Sequence, residues 1–264
     1  MTGARLIGLY VAAYIVFLYL PVALIPLFSM NDAVQPAFPL KGFTLAWYGQ
    51  LLETPAVGKA LANSVGIALT TAALATLCGT TIAYADVFLR SRLATAVAQL
   101  ARLPILIPGV VAGIALLILV NLAGLGPSRP AMVMGHLLVC LPAAVTVLRA
   151  RFAAIPPSLA EAALDLGASD ATVFRRVILP LAAPALGSAF TLAFLVSFDE
   201  FIVAYFLAGT EQTLPLYIWS QLRFPKSLPV VMALGSLILA VSVVLALTAE
   251  LLRRRGTVAA PAAD

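Results

Sequence analysis

Long apolar stretches separated by short polar intervals dominate this chain. A helix needs about 20 mainly apolar residues to cross a bilayer, and six stretches are close to that length. They cover approximately residues 6–28, 60–85, 104–123, 131–148, 184–209 and 230–252. The pattern predicts an all-α polytopic membrane protein with six transmembrane helices. The first stretch is too long for the apolar region of a signal peptide, so we expect it to be retained as a span.

The composition agrees with a membrane protein. Of the 264 residues, 62% are hydrophobic and 10% are charged, whereas soluble domains carry about 25% charged residues. The net charge of +5 does not indicate nucleic-acid binding, because most arginines lie in short runs beside apolar stretches. Cytoplasmic loops are enriched in Lys and Arg, and this bias predicts that both termini are cytoplasmic. The residues placed in the cytoplasm are Arg5, Arg90, Arg92, Arg102, Arg149, Arg151, Arg175, Arg176, Arg253, Arg254 and Arg255.

Small and polar residues inside the spans give further expectations. Gly109 and Gly113, just after Pro108 in the third stretch, form a small-residue face of the kind that lets helices pack closely. His136 is the single histidine of the chain and lies in the fourth stretch. A lone histidine there is more often hydrogen-bonded to its surroundings than a proton carrier, so it is not placed in the functional set.

The interval before the fifth stretch is the most polar long segment and predicts two short helices. Ser158 and Glu161 have the spacing of a capping box, which would start the first helix. Gly167 stands where a left-handed residue would end it. Ser169 can cap the second helix, and Pro180 is expected to stop it before the fifth span.

The spacing in this interval resembles the signature loop of permease subunits of bacterial ABC importers. The matching residues are Glu161, Ala162, Ala163, Gly167, Val177, Leu179 and Pro180, with valine at 177 in place of the usual isoleucine. The resemblance implies a type I importer permease fold over residues 1–264, with its core in 60–252 and the signature loop in 156–181. In this family the loop docks into a cleft on the ATP-hydrolysing subunit. The alternative is an ordinary amphipathic helix lying on the membrane surface.

The sharpest feature inside an apolar stretch is the pair Asp199 and Glu200. A carboxylate within the membrane is costly, so it is a functional-site hypothesis by default. Neighbouring residues of a continuous helix point about 100° apart, so both carboxylates could not face one point. We expect at least one to contact a cation in transit, the alternative being that both only bind neighbouring helices or the partner chain. Trp47 is a further candidate for the substrate pathway, although an aromatic at the membrane interface is the commoner role.

The segment SFDEFIVAYFLAG (residues 197–209), followed by TLPLYIWSQLR (residues 213–223), resembles the second permease chain of spermidine/putrescine-type importers. The resemblance implies that this chain lies in the bacterial inner membrane. It also implies three kinds of partner: a homologous permease chain, two copies of an ATP-binding subunit and a periplasmic binding protein. Some members have an acidic residue where this chain has Gly109 after Pro108. Opines, other amino-acid derivatives or organophosphonates are therefore alternative substrates.

The sequence contains no phosphate-binding loop of its own. The nearest match, Gly58-Lys59, has Glu53 in place of the first glycine and Ala60 in place of Ser or Thr. We therefore expect no cofactor and no catalytic residue in this chain, with ATP and Mg²⁺ bound by the partner ATPase. The competing class is a proton-coupled secondary transporter using the same two carboxylates. Such transporters usually show internal repeats, and none is evident here.

Overall fold

The computed structural model describes residues 3–89 and 92–257, which form helices and connecting loops without a β-strand. The α-helices are α1 (Gly3–Ser29), α2 (Ala46–Leu52), α3 (Pro55–Tyr84), α4 (Arg92–Leu100), α5 (Gly109–Leu122), α6 (Arg129–Ala153), α7 (Pro157–Asp165), α8 (Asp170–Val173), α9 (Leu179–Phe198), α10 (Ile202–Leu207), α11 (Leu214–Gln221) and α12 (Leu228–Thr257). Two π-helical turns, Ala85–Leu89 and Phe174–Ile178, continue α3 and precede α9. Two short 3₁₀ turns cover Leu103–Leu106 and Pro225–Ser227. Arg90, predicted to be cytoplasmic, lies outside the described residues.

Five helical segments within the described residues are long and apolar enough to cross a membrane. They are Arg5–Ser29, Pro55–Leu89, Arg129–Ala153, Asp170–Phe198 and Pro225–Val244. A sixth crossing is possible only if α4 with the 3₁₀ turn and α5 form one broken span. The all-α polytopic prediction is confirmed, and six spans are the upper bound.

The third apolar stretch is not the continuous helix that was predicted. Its two halves, Arg92–Leu106 and Gly109–Leu122, are bent by 112°. The break falls at Ile107, which is extended (φ −87°, ψ 125°), and Pro108, which is the N-cap of α5. A proline disfavours helical backbone in the residue before it, so Pro108 separates the two halves.

The fifth stretch also differs from its prediction at both ends. Helical backbone begins at Asp170 instead of Pro184 and passes Pro180, which lies in the first turn of α9. The π-helical turn Phe174–Ile178 comes directly before α9. Its wider backbone explains how the helix continues past Pro180, because an interior proline lacks the amide proton and crowds the preceding turn. At the other end, the helix stops at Phe198 and resumes as α10.

The chain divides into two compact units. The first comprises the described residues of 1–57 and 218–264, and in it α12 packs against α1 and α2. A small polar cluster lies in this contact: the Ser29 hydroxyl is 2.7 Å from the Tyr48 hydroxyl and donates to Ser236 Oγ at 3.3 Å.

The second unit, residues 58–217, is built around the contact between α6 and α9. Small residues allow its helices to approach closely. A Cβ added to Gly79 of α3 would lie 3.2 Å from the side chains of Ala144 and Leu148 on α6. One added to Gly113 of α5 would lie 2.4 Å from Phe206 of α10. The predicted small-residue face at Gly109 and Gly113 is therefore confirmed as a packing surface, with α10 as its partner.

Candidate functional site

The glycine of the signature loop has the backbone that its spacing predicts. Gly167 has φ +84°, and its amide donates to the carbonyl of Leu164 at 2.8 Å. The amide of Ala168 reaches back to the carbonyl of Ala163 at 3.1 Å. These two bonds form a Schellman motif, which satisfies the free carbonyls at the end of α7. The predicted left-handed end of the first short helix is confirmed.

The predicted capping box at the other end of α7 is wrong. The N-cap of α7 is Pro156, without a side-chain cap, and Pro157 is the first helical residue. Ser158 is therefore inside the first turn and does not cap it. Proline fits the first helical position because that residue has no intrahelical partner for its amide. Glu161 is exposed on α7 and makes no ion pair with any described residue.

The second half of the signature loop starts as predicted but does not stop at Pro180. Ser169 is the N-cap of α8, and its Oγ accepts the amide of Thr172 at 3.4 Å. The backbone then continues through the π-helical turn into α9, so Leu179 and Pro180 lie inside a helical segment, Asp170–Phe198, that is long and apolar enough to cross a membrane. The loop is thus joined directly to α9.

An aromatic cluster lies under the signature loop, and we call it the aromatic seat (Tyr84, Phe88, Phe152 and Phe174). The Tyr84 ring is 4.7 Å from Phe174, 5.0 Å from Phe88 and 6.1 Å from Phe152, centroid to centroid. The seat therefore connects the end of α3, the end of α6 and the second half of the loop. A groove of about 470 Å³ opens beside it, and its lining includes Glu161 and Asp170.

Three leucines are exposed on α7 and its C-cap, alongside the polar residues Ser158, Glu161 and Asp165. Leu166 is 90% exposed, and Leu159 and Leu164 are each 43% exposed. Ala160 and Ala163 instead pack against the buried core, while Ala162 is exposed. The loop thus has a partly buried alanine face (Ala160 and Ala163) and three exposed leucines, which we call the leucine tip (Leu159, Leu164 and Leu166).

Asp199 and Glu200 lie at a break between two helices. Asp199 is the C-cap of α9 (φ −91°, ψ −1°) and is exposed. Glu200 is partly buried, and its Oε1 accepts the amide of Val203 at 2.9 Å, inside the first turn of α10. The expectation of two carboxylates on one continuous helix is therefore wrong. The break gives them different roles: Glu200 satisfies a free amide of α10, and no described side chain binds the Asp199 carboxylate.

A buried polar pair near this break was missed from the sequence. His136 of α6 is 1% exposed, and its Nδ1 lies 2.9 Å from the hydroxyl of Ser197 in the last turn of α9. Its Nε2 has no hydrogen-bond partner among the described residues. The two residues are 61 positions apart, so only the presence of a lone histidine in a span pointed to the pair.

Trp47 belongs to the other compact unit. Its indole nitrogen donates to the backbone carbonyl of Asn31 at 3.0 Å, and its side chain is partly buried. The polar atom of Trp47 is thus already used to hold the segment between α1 and α2.

Comparison with known families decides the class of the protein. The profile of the family described as "Binding-protein-dependent transport system inner membrane component" matches residues 75–257. This chain belongs to that family. The match contains the signature loop, the aromatic seat and the break at Asp199, so the permease has all three within its family-defining region. It is a multi-pass membrane subunit of a transporter.

Individual relatives agree with the family over most of the chain. The permease is 32% identical over 258 residues to the spermidine/putrescine transport system permease protein PotC of Escherichia coli (strain K12), covering 97% of each chain. It is 34% identical over 231 residues to the putrescine transport system permease protein PotI of the same strain, covering 84% of this chain and 82% of the relative. The trehalose transport system permease protein SugB of Mycobacterium tuberculosis is 33% identical over 152 residues, 58% of this chain.

Proposed function

We propose that this permease is one of two homologous membrane chains of an ATP-driven importer that carries a polyamine such as spermidine or putrescine. The observation that carries the substrate class is the similarity to PotC over 97% of both chains. An exposed carboxylate at Asp199, on a broken helix inside the family-defining region, supports a cationic cargo.

The signature loop is the proposed contact with the ATPase. Its leucine tip is exposed although soluble surfaces rarely keep such large apolar side chains together without a partner. Glu161 adds a carboxylate that makes no ion pair within the described chain. An apolar tip flanked by an acidic residue suits insertion into a cleft with an apolar floor and a basic rim. Glu161, Ala162 and Gly167 lie on this proposed docking surface, Ala163 packs α7 against the core, and Leu179 and Pro180 connect the loop to α9.

The importer would contain, besides the two permease chains, two copies of an ATP-binding subunit and a periplasmic binding protein. ATP and Mg²⁺ would be bound by the ATPase, since the permease has no phosphate-binding loop. The Lys and Arg bias of the loops supports a cytoplasmic position for the signature loop and for both termini.

The proposed mechanism is alternating access. Closure of the ATPase dimer would move the signature loops of the two permease chains together, and each loop would pull on α9 because the helix is continuous from Asp170 to Phe198. The Asp199 side chain at the break would then be accessible first from one side of the membrane and afterwards from the other. The Asp199 carboxylate would hold an ammonium group of the substrate, and Glu200 would keep α10 in place through its bond to Val203.

A ligand screen of the periplasmic binding protein that works with this permease tests the substrate class. We expect putrescine or spermidine to raise its melting temperature, and an opine or an organophosphonate to leave it unchanged. Stabilisation by only an anionic or zwitterionic ligand would contradict the polyamine proposal. It would leave the importer role intact and remove the reason for a cation contact at Asp199.

A further inference from the structure

An ion pair between a buried carboxylate and a partly exposed arginine lies beside the aromatic seat, and neither the signature loop nor the proposed substrate pathway accounts for it. Asp86 is in the π-helical turn Ala85–Leu89 that follows α3. Its Oδ2 accepts from Nε of Arg149 on α6 at 2.5 Å, and Thr95 of α4 makes a further side-chain hydrogen bond with it. The Asp86 side chain is 4% exposed and that of Arg149 is 44% exposed. It is the single ion pair within the described part of the chain.

The pair joins the two helical segments that contact the signature loop. We call them the α3 wall (the end of α3 with the turn Ala85–Leu89) and the α6 wall (the end of α6). On the α3 side, Tyr84 and Phe88 flank Asp86 in sequence and contribute two rings of the seat. On the α6 side, Arg149 precedes Phe152, the third ring, by three residues, about one helical turn. The fourth ring, Phe174, belongs to the loop itself. The pair thus fixes the α3 wall to the α6 wall beside their contact with the loop.

Gly79 of α3 already packs closely against Ala144 and Leu148 of α6, but the aromatic contacts at the loop end of these helices leave their relative offset and tilt less well fixed. Ring pairs tolerate a range of offsets and tilts, whereas a charge-assisted hydrogen bond fixes distance and direction. Burying a carboxylate is also costly, and apolar residues of similar size often stabilise a core at least as well. A buried Asp86 carboxylate that is held by Arg149 therefore fits a role in fixing geometry better than a role in stability alone.

We propose that Asp86 and Arg149 are positioning residues that make the α3 and α6 walls move as one body when the signature loop is displaced. This proposal rests on the proposed function of the loop as the ATPase contact. With the pair intact, displacement of the loop moves both walls and so both helices. Without it, the loop shifts over the seat, the walls separate, and ATP is hydrolysed without full transport.

The test is the number of substrate molecules transported per ATP hydrolysed, in proteoliposomes that contain the complete importer. Asp86→Asn and Arg149→Gln are each expected to lower this ratio at least about fivefold, the lower end of typical coupling between two sites. The double variant should be no worse than either single variant, since both remove the same contact. Arg149→Lys keeps the charge without the Nε donor and should give an intermediate ratio.

The controls separate positioning from folding and from the proposed function. Asp32→Asn makes the same chemical change at an exposed carboxylate and should keep the wild-type ratio. A variant that only impairs folding would reduce the amount of assembled importer without changing the ratio. A wild-type ratio in both single variants, or losses that multiply in the double variant, would overturn the proposal. Absence of transport-linked ATP hydrolysis in the wild-type importer would instead refute the proposed function.

Discussion

Replacing Gly167 by alanine isolates the backbone requirement of the signature loop. Gly167 has φ +84°, and a Cβ added there would meet no atom within 4 Å. The substitution therefore introduces no clash with neighbouring groups, and its cost is the left-handed backbone alone. For an L-residue that cost is about 1–2 kcal/mol. A change of this size alters a two-state population by a factor of about 5–30.

The Schellman motif at Gly167 sets the angle between α7 and α8, so losing it should detach the leucine tip from its docking position. We expect Gly167→Ala to lower substrate-stimulated ATP hydrolysis of the reconstituted importer by a factor within that range. Gly167→Asn should lose less, because asparagine tolerates left-handed backbone better than alanine. The amount of the permease in the membrane should stay unchanged.

Gly187→Ala is the matched control for this prediction. Gly187 lies inside α9 without a positive φ, and a Cβ added there would also meet no atom within 4 Å. Alanine favours a helix interior over glycine by up to about 1 kcal/mol, so this variant should keep full stimulation. Full stimulation in Gly167→Ala as well would refute the requirement for a left-handed residue in coupling.

Two further predictions concern the substrate pathway and the packing of the core. Asp199→Asn removes a charge whose attraction to an ammonium group at 4 Å is about 1 kcal/mol in water and about 4 kcal/mol near a protein surface. It should raise the KM for transport of a polyamine at least about fivefold while the importer still assembles; an unchanged KM would exclude a substrate contact. Gly113→Ala would place a Cβ 2.4 Å from Phe206, and such overpacking costs about 1–3 kcal/mol. Its membrane abundance and melting temperature should fall, whereas wild-type values for both would show that Phe206 can move aside.

Features set by local chemistry could be predicted from the sequence. The apolar stretches give the spans because a bilayer imposes their length. The cap at Gly167 is predictable because glycine adopts left-handed backbone with little strain. The cap at Ser169 follows from its side-chain oxygen, which can accept a free amide of the next helix.

At three helix ends the sequence contains residues that favour different backbone conformations, and it does not indicate which conformation forms. At the start of α7, the Ser158 capping box competed with Pro157, whose fixed φ suits the first helical position. At Pro180, the expected stop was overridden by the preceding π-helical turn, whose different register has no signature in the residue pattern. At Pro108 the opposite happened, and a proline inside an apolar stretch broke the helix.

The local structure around the proposed substrate contact could not be predicted, because it depends on contacts between residues that are distant in sequence. Neither glycine nor proline marks the break after Phe198, and the carboxylates Asp199 and Glu200 indicate a functional site without indicating that the helix stops there. The break is stabilised by Glu200, which accepts the Val203 amide, and by the bond between His136 and Ser197 next to it. The bond between His136 and Ser197 forms only when α6 packs against α9, so periodicity and spacing could not reveal it.

Uptake of labelled putrescine into proteoliposomes would show whether the permease works as part of an ATP-driven polyamine importer. The importer is reconstituted with its ATPase, its second permease chain and its binding protein, and a protonophore abolishes any proton gradient. We predict uptake that requires both ATP and the binding protein, persists with the protonophore, and falls when Gly167 is replaced by alanine. Uptake by this chain alone, without ATP and driven by a proton gradient, would contradict the importer role and indicate a secondary transporter.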